Sequence, residues 1–240
     1  MILLKILLAI IAAILAYILF LGISVLLFSD PRKEYDCYSG YFHVLVQSVF
    51  SWIMFIWRIR ISSSGLEKVP TDTRYLLVGN HRSNFDPLVT GKVFKKHHLS
   101  FISKERNLHI FIAGRLIRRI CYMAIDRENA RNAVATIERA SRLIRDDVTS
   151  IAVYPEGTRS KTDEMLAFHN GVFKIAQKAN VPIVIACIKG TEKVSRNYPL
   201  HRTKVHLKIV DVLPAEYVAS HRTNEISDKV RKILEEALAQ

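Results

Sequence analysis

Several common chemistries have no foothold in these 240 residues. No Gly-x-Ser-x-Gly elbow occurs, so a serine hydrolase would lack its exposed nucleophile. There is no glycine-rich Walker loop and no His-Glu-x-x-His pair, which removes the usual phosphate cradle and the usual helix-borne zinc site. No repeat or low-complexity tract is present. Cysteine is scarce: Cys37, Cys121 and Cys187 are an odd number without metal-ligand spacing. Free thiols in a reducing compartment are expected, with the globular part facing the cytoplasm. Acid is short as well, 22 Asp and Glu against 35 Lys and Arg, for a net charge of +13. That balance points to an anionic partner: nucleic acid, a membrane surface or a phosphorylated substrate. Nucleic acid fits poorly, because no recognition motif is found and the arginines are not interleaved with a stacking platform.

What the chain has in quantity is apolar sequence. Half of it is hydrophobic, and Ile6 to Phe28 is an uncharged run. As a helix that run would extend roughly 34 Å, enough to span a bilayer core of about 30 Å. It is too long for a cleaved signal, and no small-x-small site closes it before Ser29-Asp30-Pro31. A retained anchor in the cell membrane is expected, with the basic charge drawn to anionic lipid. A second apolar stretch, Phe42 to Ile59, carries Trp52 and Trp57 near Arg58 and Arg60, residues suited to the headgroup layer. It fits a second span or a helix lying in one leaflet. The expected division is 1–61 for membrane-anchoring helices and 62–240 for one globular domain.

Beyond residue 62, short apolar runs alternate with longer amphipathic ones. Tyr75–Gly79, Leu99–Ser103, Ser150–Tyr154, Pro182–Ile188 and Val205–Val212 read as strands. Helices are expected at Pro87–Val93, Ala130–Arg145, Gly171–Ala179 and Asn224–Leu238. The fold class is α/β, a mostly parallel sheet flanked by helices. Polar residues gather at the carboxyl ends of these strands. His81, Lys104, the segment "PEGTRS" with Glu156 and Arg159, Lys189-Gly190-Thr191, and Asp126-Arg127 all follow apolar runs. Ligands of open α/β sheets bind there, so these groups should converge.

The segment "NHRSNFDP" sets His81 five residues before Asp86. On one helix those side chains would point about 140° apart, so a loop must fold between them. Pro87 suits the first turn of a helix, and Asp86 is expected to cap it with one oxygen while the other accepts the imidazole N–H. An oriented histidine beside a carboxylate is a general base. With no nucleophile and no metal ligand set, the base would activate a substrate hydroxyl directly.

"NHRSNFDP" and "YPEGTRS" together make the sequence resemble the glycerolipid acyltransferase family, which includes 1-acylglycerol-3-phosphate acyltransferases. The resemblance runs from about Gly65 to about Pro214. It implies that His81 deprotonates an acceptor hydroxyl, that Asp86 orients His81, and that Glu156, Gly157, Thr158 and Arg159 bind substrate. Arg159 would hold the phosphate of lysophosphatidic acid, with Lys104 and Arg127 as further phosphate contacts. Val181-Pro182-Ile183 matches a block usually assigned to the acyl side. The implied co-substrate is acyl-CoA or acyl carrier protein, the product is phosphatidic acid for phospholipid synthesis, and no metal or other cofactor is required. The alternatives are another acceptor, glycerol-3-phosphate or a different lysophospholipid, and a non-catalytic membrane-anchored lipid-binding protein. The helical pair would sit in the bilayer beneath the catalytic domain. Three positions depart from the family pattern: Phe111 replaces a proline ahead of Gly114, Ala186 replaces another, and His169-Asn170 stands where Lys-x is usual.

Overall fold

The N-terminal apolar run forms one helix, α1 (Ile2–Phe28), in a computed structural model that describes residues 1–125, 130–160, 162 and 164–240. At 1.5 Å per residue it is about 40 Å long. Only Leu21, Ser24 and Val25 are buried along it. Among the described residues it is the one helix long and apolar enough to cross a membrane.

The second stretch behaves differently. Helix α2 (Gly40–Ile56) starts where the Ser39 hydroxyl accepts from the Phe42 amide, and ends before Arg58, whose φ is +54°. Its 17 residues reach only about 26 Å, short of a bilayer core. One face, Phe42, Leu45, Val46, Phe50 and Met54, is buried in the domain core. Of the two readings open from sequence, a second full span is therefore disfavoured. Tyr17 bonds Ser48 at 2.7 Å and Ser24 bonds Tyr41 at 2.8 Å, tying α1 to α2. The linker between them is fastened too, since Asp36 pairs with Arg139 at 2.9 Å and Arg142 at 2.7 Å.

From there the elements follow as β1 (Ile59–Ser64), β2 (Leu76–Gly79), α3 (Asp86–Val93), β3 (Leu99–Ser103), α4 (Glu105–Leu108), α5 (Ala113–Arg118), β4 (Met123–Ala124) and α6 (Ala130–Arg145). The second half contains β5 (Ser150–Val153), α7 (Lys174–Ala179), β6 (Ile183–Lys189), α8 (Val194–Asn197), β7 (Thr203–Leu213), α9 (Ala215–Ser220) and α10 (Thr223–Ala239). The seven described strands are ordered β1-β7-β6-β2-β5-β3-β4. All neighbours are parallel except β6 and β7. The expected α/β class with a mostly parallel sheet is borne out. Strand β1 was not expected, and the division at 61/62 falls inside it. Its "IRISSS" pattern is largely exposed, as suits an edge, and its partner β7 lies some 140 residues on.

Side chains alternate across this sheet, as strand geometry requires. Leu77, Ala152, Val184 and Ala186 face the core shared with α2 and α3, whereas Leu76, Val78, Ile151 and Val153 face α6, α7 and α10. The sheet is covered on both sides, which explains its nearly continuous apolar strands.

Two close approaches fix the wall beside α2. A Cβ on Gly91 would meet the Phe50 ring at 2.6 Å, and one on Gly114 would meet the Leu108 carbonyl oxygen at 2.2 Å. The second neighbour is backbone and cannot swing aside. Gly114→Ala is expected to lower stability by about 1–3 kcal/mol, read as a fall in Tm, by prising α5 from α4.

Candidate active site

The chain reverses its direction across the sheet between β2 and β5: from β2 it proceeds toward β3, and from β5 back to β6. The loops after these two strands therefore leave side by side at the sheet's carboxyl edge. Their register, Val78 opposite Val153, brings "NHRSNFDP" against "PEGTRS".

Asn80 locks the exit of β2. Its buried side-chain amide donates to the Ile188 carbonyl at 2.9 Å and accepts from the Ile188 amide at 2.8 Å. His81 follows, and its backbone N–H donates to Glu156 Oε1 at 2.7 Å. The chain then folds back so that the Asp86 carboxylate, fully buried, accepts from the loop that precedes it. Oδ2 accepts the Arg82 and Ser83 amides, each at 2.7 Å, and bonds His81 Nδ1 at 2.8 Å. Oδ1 accepts from the Thr191 hydroxyl at 2.5 Å. A carboxylate holding four donors is an acceptor only, so Nδ1 carries the proton and Nε2 is left as the basic atom.

One expectation is corrected here. Asp86 does not cap the helix before Pro87: the cap position is Phe85, and no side chain bonds the first turn. The carboxylate turns backwards because the amides of Arg82 and Ser83, exposed by the loop's reversal, are nearer than those of α3.

The "PEGT" loop is a tight turn. Gly157 N–H donates to the Tyr154 carbonyl at 2.9 Å, Pro155 sets the corner, and Gly157 takes φ +73°, a conformation glycine adopts without strain. Glu156 is turned into the protein. It is 3% exposed, and its second oxygen accepts the Leu166 amide at 3.0 Å, so the carboxylate braces the backbone of two loops. Burial raises its pKa, against the two N–H donors that lower it.

A cavity of about 400 Å³ opens beside this constellation, a size usual for small-molecule sites. Its lining includes the polar side chains of His81, Asn84, Lys104, Arg106, Thr158 and Arg159 together with apolar Val46, Phe50 and Ile53 of α2, Leu88 and Phe101. Gly157 lines it as well. The Tyr154 ring stacks on the imidazole, centroids 4.6 Å apart and 17° between planes. Its hydroxyl bonds Thr90 at 3.0 Å and is pushed well above its usual pKa, first by burial and then by the Asp86 carboxylate. It stays neutral. Among the described residues no three His, Cys, Asp or Glu side chains cluster as a metal site.

The structure thus brings together His81, Asp86, Lys104, Gly157, Thr158 and Arg159. Arg127 lies outside the described residues. Val181-Pro182-Ile183 sits at the start of β6, the edge opposite His81, and does not line the cavity. Two contributors were not expected from sequence, Tyr154 and the inner face of α2, and Thr191 was expected at this edge without a partner. Thr191 did carry a signal, its place just beyond a strand, but its partner is 105 residues away.

Thr191 gives a direct test. Thr191→Val keeps the shape and removes the donor, which is expected to cost about 1.5–3 kcal/mol of stability. Turnover should fall about tenfold as the imidazole loses its alignment, and Thr191→Ser should restore both. Thermal denaturation and kcat report them separately.

Sequence comparison gives a match to the Acyltransferase family over residues 60–189, more than half of the chain. A probable 1-acyl-sn-glycerol-3-phosphate acyltransferase of Mycoplasma pneumoniae is 33% identical over 150 residues, 61% of this chain and 55% of that protein. The chain therefore spans about half the length of that relative. The 1-acyl-sn-glycerol-3-phosphate acyltransferase of Escherichia coli is 29% identical over 178 residues, 71% of each chain. Among solved structures, the 1-acyl-sn-glycerophosphate (LPA) acyltransferase PlsC from Thermotoga maritima matches with a TM-score of 0.64 at 24% identity, covering 83% of this chain and 77% of that one. That match is a likeness of fold.

Proposed function

Because the chain belongs to the Acyltransferase family, we propose that it moves a fatty acyl group from an acyl thioester to the sn-2 hydroxyl of 1-acylglycerol-3-phosphate, forming phosphatidic acid for phospholipid synthesis. The observation that carries this reading is the His81–Asp86 pair, with His81 on the wall of a cavity lined by both cationic and apolar side chains. Relatives named for the same reaction support it.

In the proposed step, His81 Nε2 takes the proton of the acceptor hydroxyl as its oxygen attacks the thioester carbonyl. The carbon–sulfur bond then breaks, and His81 returns the proton to the departing thiolate of coenzyme A or acyl carrier protein. Asp86 keeps Nδ1 protonated and stabilises the imidazolium between the two transfers. Arg159 and Lys104 hold the acceptor's phosphate, and the apolar part of the lining takes an acyl chain.

Both lipids reside in a bilayer, so the protein is read as membrane-bound through α1, with the catalytic domain at the cytoplasmic face. The apolar exposure of α1 supports this, and the three free thiols fit a reducing compartment. Purified protein in detergent, offered a panel of lysolipids with acyl-CoA or acyl carrier protein, tests the reading through product identity. Phosphatidic acid is the expected product; acylation of a different lysolipid alone would displace it. Arg159→Ala is expected to raise the acceptor KM about 10–100-fold, as loss of a charge-assisted phosphate contact, with the donor KM little changed. Equal effects on both substrates would undo the phosphate assignment.

A further inference from the structure

The loop from α4 to α5 carries two large apolar side chains outward: Ile110 is 55% exposed and Phe111 64%. Phe111 is the residue standing where the family usually has a proline. The tip is firmly built, because Gly114 N–H donates to the Ile110 carbonyl at 2.6 Å.

Arg115 fixes where the tip lies. Its guanidinium sits 5.5 Å from the centre of the Phe111 ring and donates to the carbonyls of Val25 at 3.4 Å and Ser29 at 3.2 Å. Phe111 is thus one side chain away from the point where α1 leaves the globular part, and Leu27 and Phe28 there are exposed as well. On its inner side the same tip reaches the site, since Ile110 lines the cavity with Phe50 and Ile53. The flanks are basic: between Lys104 and Arg119 the sequence has one acid, Glu105, against Lys104, Arg106, Arg115, Arg118 and Arg119.

We propose that Ile110 and Phe111 form a wedge inserted into the bilayer at the lip of the cavity, a membrane contact separate from the two N-terminal helices. Lipid is the occupant because the patch continues the exposed apolar end of α1 and is framed by cations suited to anionic headgroups. Acyl chains would then pass between bilayer and cavity along Ile110 without crossing water. This rests on the membrane reading of α1 given above.

Tryptophan quenching in vesicles of phosphatidylcholine and phosphatidylglycerol with brominated acyl chains separates the two claims. Wild-type protein reports through Trp52, 45% exposed and 6.2 Å from the Tyr17 ring of α1, and Trp57, packed on Phe85 and Tyr198, is common to every variant. Phe111→Trp in a Trp52→Phe background reports on the tip. The introduced indole is expected to be quenched by brominated lipid and shielded from iodide. Quenching by iodide and not by lipid, with Trp52 of the wild type still quenched by lipid, would overturn the wedge alone. If wild-type protein also escapes brominated lipid, the membrane reading fails and the wedge with it.

Turnover gives a second measure. Phe111→Ser is expected to raise the apparent KM for long-chain acceptor in vesicles about five- to tenfold, the scale of one apolar side chain leaving lipid. Turnover of a short-chain, water-soluble acceptor and thioester should hold. Loss of equal size on both substrates would overturn the passage role.

Discussion

His81→Ala is expected to abolish measurable acyl transfer, a fall in kcat/KM of about 10²–10⁴ set by the loss of general-base catalysis. The fold should survive it. The imidazole is partly exposed, 18% of its side-chain surface, and its removal still leaves Asp86 with the Arg82 and Ser83 amides and the Thr191 hydroxyl. Tm and vesicle attachment should therefore match the wild type while turnover disappears. A variant that retained full turnover would take the base out of the mechanism.

Asp86→Asn should be the more damaging change, because it acts on both counts. The amide nitrogen is a donor where a carboxylate oxygen was an acceptor: at Oδ2 it would confront the backbone amides of Arg82 and Ser83, and at Oδ1 it would force the Thr191 hydroxyl to give up its donated bond. Breaking a buried charged network from one side costs about 3–5 kcal/mol. The imidazole also loses the negative charge that stabilises its protonated form, and in an oriented His–Asp pair the same substitution costs about 10⁴ in turnover. The expected signature is a large fall in Tm together with inactivity, in contrast to the stable, inactive His81→Ala. An Asp86→Asn protein as stable as the wild type would show that the four hydrogen bonds do not build the loop.

The pairing behind these expectations was legible from "NHRSNFDP" because five residues with a turn-forming middle and a following proline admit few geometries. The gathering of His81, Lys104 and Arg159 was legible too, since each follows an apolar run whose carboxyl end an open α/β sheet directs to one edge. The role of Asp86 at its helix was misjudged. Aspartate before proline favours a cap locally, and only the reversed loop supplies closer amides. That both oxygens of Glu156 are taken by backbone amides was likewise not legible, because its partners, the His81 and Leu166 amides, reach it only through the folded loops.

Local pattern by itself determined the parts of this protein that depend on neighbours in the chain: the long apolar helix, the strand–helix alternation and the His–Asp spacing. Periodicity, capping and turn preference act within a few residues, so they can be read directly. The tertiary structure alone decided that one face of α2 lines the cavity, that β1 joins the sheet beside β7, and that Thr191 completes the set of donors around Asp86. Each of these joins residues more than thirty positions apart, and such contacts exist only once the sheet order has brought distant segments together.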